Sequence, residues 1–386
     1  MLNDLSPKPR LLIFLQWFTP AHKAGGPIRS IQNLIELIHE DYDIYVFASD
    51  RDLGDHKPFA TIQLNKWLKP DLKFSIIYND PNHQSRSHLR NAVEIVRPDF
   101  VYFNSMYSFR YFLLPLIELL LMRFNGKMVL APRGMLKATA IKFKSNKKNV
   151  FLFLLRKSGL LKRLYFQATD EQEFRDIQSN LNVKPERILI VNNPPPIVNH
   201  LEIIEKEKNF LKLIFVGRIH PIKGLDFLID VLMSIKDKVE VNVVGWIENL
   251  TFYSECLEKI RKLPGNIKVT IVGDLPFPEV QQQLQKAHFL ILPTHGENFG
   301  NAIFEALTSG KPVIISDETP WRNLEKKKIG WDISLKNPDQ FSAAIQYACK
   351  MEQEEYNQWC SQAYQFAKHY VQESNIKAKY LNLFGQ

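Results

Sequence analysis

Cysteine is scarce in this chain: Cys256, Cys349 and Cys360 are the only three among 386 residues. They are too few and too scattered for a disulfide framework or a zinc site, and so point to a reducing compartment, the cytosol. Long apolar runs are missing as well. The most hydrophobic stretch, YFLLPLIELLLM from Tyr111 to Met122, is interrupted by Pro115 and Glu118 and is too short to cross a bilayer. The opening MLNDLSPKPRLLIFLQWF lacks a small-residue cleavage site and reads as the approach to a first strand, not as a signal peptide. There is no low-complexity tract or short-period repeat, and 45% apolar with 24% charged residues excludes disordered and fibrous architectures. Acid disappears altogether from Leu119 to Thr169, where twelve Lys or Arg face no Asp or Glu, so the net charge of +9 belongs to one segment.

What is present is an alternation. Runs rich in Ile, Val, Leu and Phe recur at 10–15, 44–49, 74–78, 100–104 and 128–132, separated by stretches of helical period. Continuous apolar strands alternating with helices predict a parallel sheet covered on both faces, an α/β doubly wound domain. The length exceeds the usual size of one core, so two domains are expected. The first is placed at 1–192, followed by a proline- and charge-rich linker at 193–209. The alternation restarts at 211–217, 239–245, 267–273, 288–293 and 311–316, giving a second domain over 210–370 and a tail at 371–386 returning toward the first.

Gly217, Gly245 and Gly273 each end a predicted strand of the second domain. Open α/β sheets bind ligands at that edge, where glycine admits a close backbone approach; the plainer reading is a simple chain turn. Arg218 follows the first of these strands, and Lys223 stands five residues on, at the start of a helix. Two cations beside a helix N-terminus either hold an anion such as a diphosphate or are merely solvated. In HGENFGNAIFEALTSG, Glu297 sits on a turn, Phe299, Gly300 and Asn301 offer the first free amides of a helix, and Glu305 lies more than one turn inside it. Acceptor, donors and acceptor in that order suit a ligand built as polyol, phosphate and polyol, which is a nucleotide sugar.

These residues carry a resemblance. The two glutamates with seven residues between them, Glu297 and Glu305, and the preceding Arg218 and Lys223 resemble the signature of family 4 of the retaining glycosyltransferases. The resemblance spans nearly the whole chain. It implies the GT-B fold, two Rossmann-like doubly wound domains facing each other across a cleft. It implies Glu297 on the hydroxyls of the donor sugar, Glu305 on the nucleotide ribose, and Arg218 and Lys223 on the diphosphate of a UDP- or GDP-sugar. Gly25 and Gly26, in FTPAHKAGGPIRS, resemble the loop whose amides approach the donor phosphate, and base selection falls near Gly273 and Asp274. Relatives carry a histidine near the end of a middle strand of the first domain; the corresponding stretch here looks like VLAPRGMLK. This resembles a polysaccharide- and lipopolysaccharide-assembly branch and makes Arg133 a candidate for the acceptor or diphosphate side. Trp321 and Trp331 are assigned packing roles. Retention by same-face substitution is implied, with the leaving diphosphate taking the acceptor's proton and the rate coming from electrostatic preorganisation and domain closure.

Asp41 and Asp43 repeat the aspartate pair with which other sugar transferases hold a divalent ion, but they precede a strand instead of ending one, so no metal and no cofactor is expected. The basic segment 123–163 interleaves cations with Phe and Leu in what read as helical runs. With no nucleic-acid motif beside it, it is read as an anionic membrane surface contact, alongside the reading of a solvated face. A lipid-linked glycan acceptor and a peripheral location on the inner face of the cytoplasmic membrane follow from the resemblance. The rival functions are a nucleotide-sugar epimerase or phosphorylase of the same fold, and a non-catalytic protein that binds nucleotide sugars or nucleic acid.

Overall fold

The computed structural model describes residues 7–137, 145–196 and 201–385. It divides into two compact units, Met1–Pro194 with Asn375–Gln386, and Pro195–Ser374. The tail thus belongs to the first unit from Asn375 onward.

The first unit is built on one sheet. Its strands are β1 (Arg10–Phe14), β2 (Asp43–Ser49), β3 (Trp67–Leu68), β4 (Phe74–Asn79), β5 (Phe100–Asn104), β6 (Lys127–Ala131), β7 (Leu164–Ala168) and β8 (Ile188–Ile190). They run in the order β3-β4-β2-β1-β5-β6-β7-β8. All neighbours are parallel except the β3–β4 pair. Interior strands such as β1 are apolar at nearly every position because helices cover both faces. The order reverses at β1, whose neighbours are β2 and β5.

The C-terminal helix Ile376–Phe384 completes this core. Its Phe384 ring packs on Tyr42, Phe100 and Tyr102 at 5.7–6.1 Å. Lys377 reaches Asp41 at 2.9 Å, so one aspartate of the Asp41/Asp43 pair anchors the tail, and Asp43 opens β2.

The second unit has β9 (Phe210–Val216), β10 (Lys238–Val244), β11 (Ile267–Gly273), β12 (Phe289–Leu292), β13 (Val313–Ser316) and β14 (Gly330–Ile333), in the order β11-β10-β9-β12-β13-β14. Every pairing is parallel. The chain winds outward from β9 through β10 to β11, then crosses to β12 on the other side. The reversal therefore lies between β9 and β12, the place where open α/β sheets leave a crevice at their carboxyl ends.

Three expectations change. Directly after the basic segment, Leu164–Ala168 forms the interior strand β7, which was not among the expected strands, since Leu164, Phe166 and Ala168 are buried in an apolar run too short to distinguish strand from helix. The stretch 193–209, expected as an exposed linker, is held on the second unit over its later part. Lys206 is buried, with its ammonium donating to the carbonyls of Glu207 at 2.7 Å and Cys349 at 3.1 Å. Polar side chains also capture this strap: Lys311 donates to Glu202 O at 3.2 Å and the His288 ring meets Glu205 O at 2.9 Å. The helix expected to start at Lys223 instead begins at Leu225 and runs to Leu232, after a 3-10 turn at Pro221–Lys223, because Gly224 adopts a left-handed conformation between them.

Candidate functional site

Loops from the carboxyl ends of β9, β12 and β13 are tied together in the second unit. The amide of His295 donates to Ile222 O at 2.7 Å and the Thr294 hydroxyl to the same carbonyl at 2.9 Å, so the turn after β12 is fixed to the 3-10 turn after β9. Glu297 N donates to Glu318 O at 2.9 Å, joining the loop after β13. This anchoring brings two expected residues into contact: the Lys223 ammonium donates to Glu297 Oε1, with both side chains about 15% exposed. The Lys223 stem lies over Gly217, where a Cβ would come within 3.5 Å of it.

Arg218 takes a different partner. Its Nη1 donates to Glu248 Oε2 at 2.6 Å, and both groups are solvent-accessible. Glu248 was not among the expected residues, yet the sequence carried a signal, since VGRI at 216–219 and VGWI at 244–247 repeat one pattern at two strand ends. Their isoleucines form a parallel bridge, Ile219 with Ile247. Gly245 makes this possible: its φ is +150, and a Cβ there would lie 2.0 Å from Gly217 O. His220 caps the 3-10 turn by accepting from Ile222 N at 3.2 Å, and burial, opposed by the Glu248 carboxylate and aided by Arg218 and Lys223, presses its pKa below the usual imidazole value.

Gly300 precedes the helix Asn301–Thr308 in a left-handed conformation, φ 78 and ψ 61. The turn before it is held by the Trp321 indole, which donates to Phe299 O at 2.7 Å and stacks on Phe304 at 5.3 Å. Trp331 packs at 4.6 Å on Trp359. Glu305 lies on the buried part of the helix, 5% exposed, one turn beyond the amides of Asn301 and its neighbours. Gly273 ends β11 with φ +88 and open space where its side chain would be.

In the first unit, Gly25 starts the helix Gly26–Ile38 with φ 62, and Pro27 occupies the first turn. The loop before it is shaped by Asp52, a residue sequence reading missed, whose buried carboxylate accepts from the amides of His22 at 2.7 Å and Lys23 at 3.2 Å. Asn104, at the end of neighbouring β5, donates to Pro27 O at 3.2 Å. Arg133 is placed just after β6 but faces its own unit: Nε donates to Asn104 Oδ1 at 2.6 Å, Nη2 to the Tyr102 hydroxyl at 2.7 Å, and Nη1 to Asn193 Oδ1. Tyr102 donates on to Gln167, which donates to Tyr380 of the C-terminal helix at 2.8 Å. All three guanidinium nitrogens therefore brace the carboxyl edge of this sheet.

Of the basic segment, 138–144 lies outside the described residues. The helix Ser145–Lys157 buries Leu152 and Leu155 and exposes Val150, Phe153 and Leu154, each more than half accessible. Among the described residues no helix is long and apolar enough to cross a membrane.

Known proteins carry this architecture. An Anabaena protein, Alr3699/HepE in complex with UDP and glucose, aligns with a TM-score of 0.69 at 15% identity over 97% of this chain and 98% of that one, which makes the fold GT-B. Residues 199–366 match the family model described as glycosyl transferases group 1. An uncharacterized glycosyltransferase of Methanocaldococcus jannaschii, MJ1069, is 25% identical over 333 residues, 80% of this chain and 81% of that protein. The O-antigen chain mannosyltransferase RfbU of Salmonella typhimurium is 28% identical over 207 residues, covering 50% of this chain and 56% of RfbU. The chain is a glycosyltransferase, and the group 1 match contains Arg218, Lys223, Glu297, Gly300 and Glu305.

Proposed function

We propose that this enzyme is a retaining, family 4 transferase that moves a hexose from a UDP- or GDP-sugar to a hydroxyl of a lipid-linked glycan in cell-surface polysaccharide assembly. The observation that carries the reading is the contact of Lys223 with Glu297 at the β9/β12 reversal, beside the amides that open the helix after Gly300. A diphosphate placed there meets a cation and the N-terminal end of that helix, and the sugar beyond it meets a carboxylate. Arg218 adds a second cation, Glu305 takes the ribose hydroxyls, and the base lies by Gly273 and Asp274. Gly25 and Gly26 are read as a phosphate-approaching loop of the first unit. Arg133 serves the acceptor side indirectly, by holding Asn104 and Asn193 at that unit's carboxyl edge.

Transfer then needs no carboxylate nucleophile. The glycosidic C–O bond to the diphosphate breaks, the acceptor oxygen bonds to the same face of the sugar, and the departing diphosphate oxygen takes the acceptor's proton. Lys223, Arg218 and the helix amides stabilise the charge that develops on the leaving group, which makes a metal-independent reaction our reading. The likeness to an O-antigen mannosyltransferase supports a polysaccharide acceptor. The exposed Val150, Phe153 and Leu154, set among cations, support docking on the anionic inner face of the cytoplasmic membrane.

A thermal-shift panel of nucleotide sugars identifies the donor, since a true donor stabilises the folded protein by mass action. With that donor, Glu297→Ala and Lys223→Ala are expected to lower transfer about 10²- to 10³-fold. Wild-type rates in both variants would overturn the site.

A further inference from the structure

Both cations of the site are already matched. Lys223 meets Glu297, and Arg218 meets Glu248 at 2.6 Å. The second pairing is built into the backbone. Beyond β9 and β10 the chains stay zipped: Ile219 N donates to Trp246 O at 2.8 Å, and the amides of Glu248 and Asn249 both return to Ile219 O at 3.3 Å. Asn249 then caps the helix Leu250–Ile260 by accepting from Phe252 N at 3.0 Å. Glu248 is thus pinned between the Ile219–Ile247 bridge and the Asn249 cap. Its side chain and that of Arg218 are 30% and 39% exposed, so water reaches the pair and it is weak enough to exchange.

We propose that Glu248 is a positioning residue that holds Arg218 in the empty site and gives it up to the donor diphosphate, so that loading and product release are exchanges of ion-pair partner. This rests on the reading that Arg218 meets the diphosphate. With a carboxylate for each cation, the empty site has little net field to retain free phosphate. After transfer, Glu248 competes with the product nucleoside diphosphate for the guanidinium and speeds its departure. His220, whose protonation burial opposes, adds no further positive charge at neutral pH. Glu248 touches neither sugar nor nucleotide and acts only through Arg218.

Titration calorimetry with UDP and GDP at low ionic strength tests this on the full chain. For whichever diphosphate binds, Glu248→Gln and Glu248→Ala are expected to tighten affinity about two- to fivefold, the range of an exposed ion pair. Arg218→Ala is expected to weaken it at least tenfold. The double variant Arg218→Ala with Glu248→Gln should match Arg218→Ala alone, because the gain travels through the arginine. The gain should also shrink in 0.5 M salt, as screening predicts (about 4 Å of Debye length). A loss that appears in Arg218→Ala while both Glu248 variants bind no more tightly than wild type overturns the proposal, as does a gain that persists without Arg218. Unchanged affinity in Arg218→Ala overturns instead the diphosphate reading of that residue, and a wild-type protein that binds neither nucleotide overturns the donor site itself.

Discussion

Gly224 offers a quantitative check on how the site is assembled. It stands between Lys223 and the helix Leu225–Leu232 with φ 70 and ψ 33, and a Cβ added there would lie 2.0 Å from Pro293 O and 3.0 Å from Pro293 C. Both obstacles are backbone of the segment leading to Glu297, so neither can rotate away. Gly224→Ala therefore combines left-handed strain of about 1–2 kcal/mol with overpacking of about 1–3 kcal/mol. Gly273→Ala supplies the comparison, since its φ is +88 but nothing lies within 4 Å of the added carbon. It should cost the strain alone. The difference, about 2 kcal/mol, corresponds to roughly 4–8 °C in the melting of a unit of this size. Differential scanning calorimetry of the two variants reads it directly. The clash also pushes Lys223 off the turn that carries Glu297, and a displacement near 1 Å lowers transfer by about 10²-fold. Equal melting temperatures for the two variants would refute the reasoning, because the contact with Pro293 would then carry no energy.

Two further outcomes follow from other parts of the molecule. Burial holds the His288 imidazole at about 4, with Nδ1 accepting from Lys212 N and Nε2 donating to Glu205 O at 2.9 Å each. The unfolded chain takes up this proton below about pH 6.5 and the folded one does not, so stability present above that pH falls as pH drops toward 4, by about 3 kcal/mol in all. Urea midpoints measured across this range should show the slope in the second unit and its flattening in His288→Gln; an unchanged slope would remove His288 from the account. On the first unit, Phe153→Asp and Leu154→Asp should each reduce co-sedimentation with phosphatidylglycerol vesicles about tenfold at low salt, and undiminished binding would sink the membrane reading.

Ten of the strands were legible because interior parallel strands are nearly uninterrupted apolar runs. The four that were not fail for physical reasons. β3 is two residues long, β8 three, and β14 opens on Gly330, while β7 is embedded among lysines and leucines whose spacing also fits a helix. In the site, Glu297, Lys223 and the Gly300 turn were readable as a spaced pattern. Glu248 was signalled only by the repeat of VGRI in VGWI and Asp52 not at all, since their importance comes from partners 30 residues away in each case, Arg218 for one and His22 for the other. Arg133 was found by its motif, but its direction was not readable: Tyr102 and Asn104 come from β5, about 30 residues earlier, and Asn193 from a segment 60 residues later.

The sequence by itself determined the class of fold, the two α/β units and the order of chemical groups along the strand ends, because hydrophobic period and glycine placement are local properties. Only the tertiary structure decided which groups meet. Strand order set β12 beside β9, and with it Glu297 against Lys223; the same sheet set β10 on the other side of β9 and gave Arg218 to Glu248. Two glutamates drawn from opposite sides of one central strand thus balance two cations on a single loop, a match that depends on parallel pairing between segments far apart in the chain.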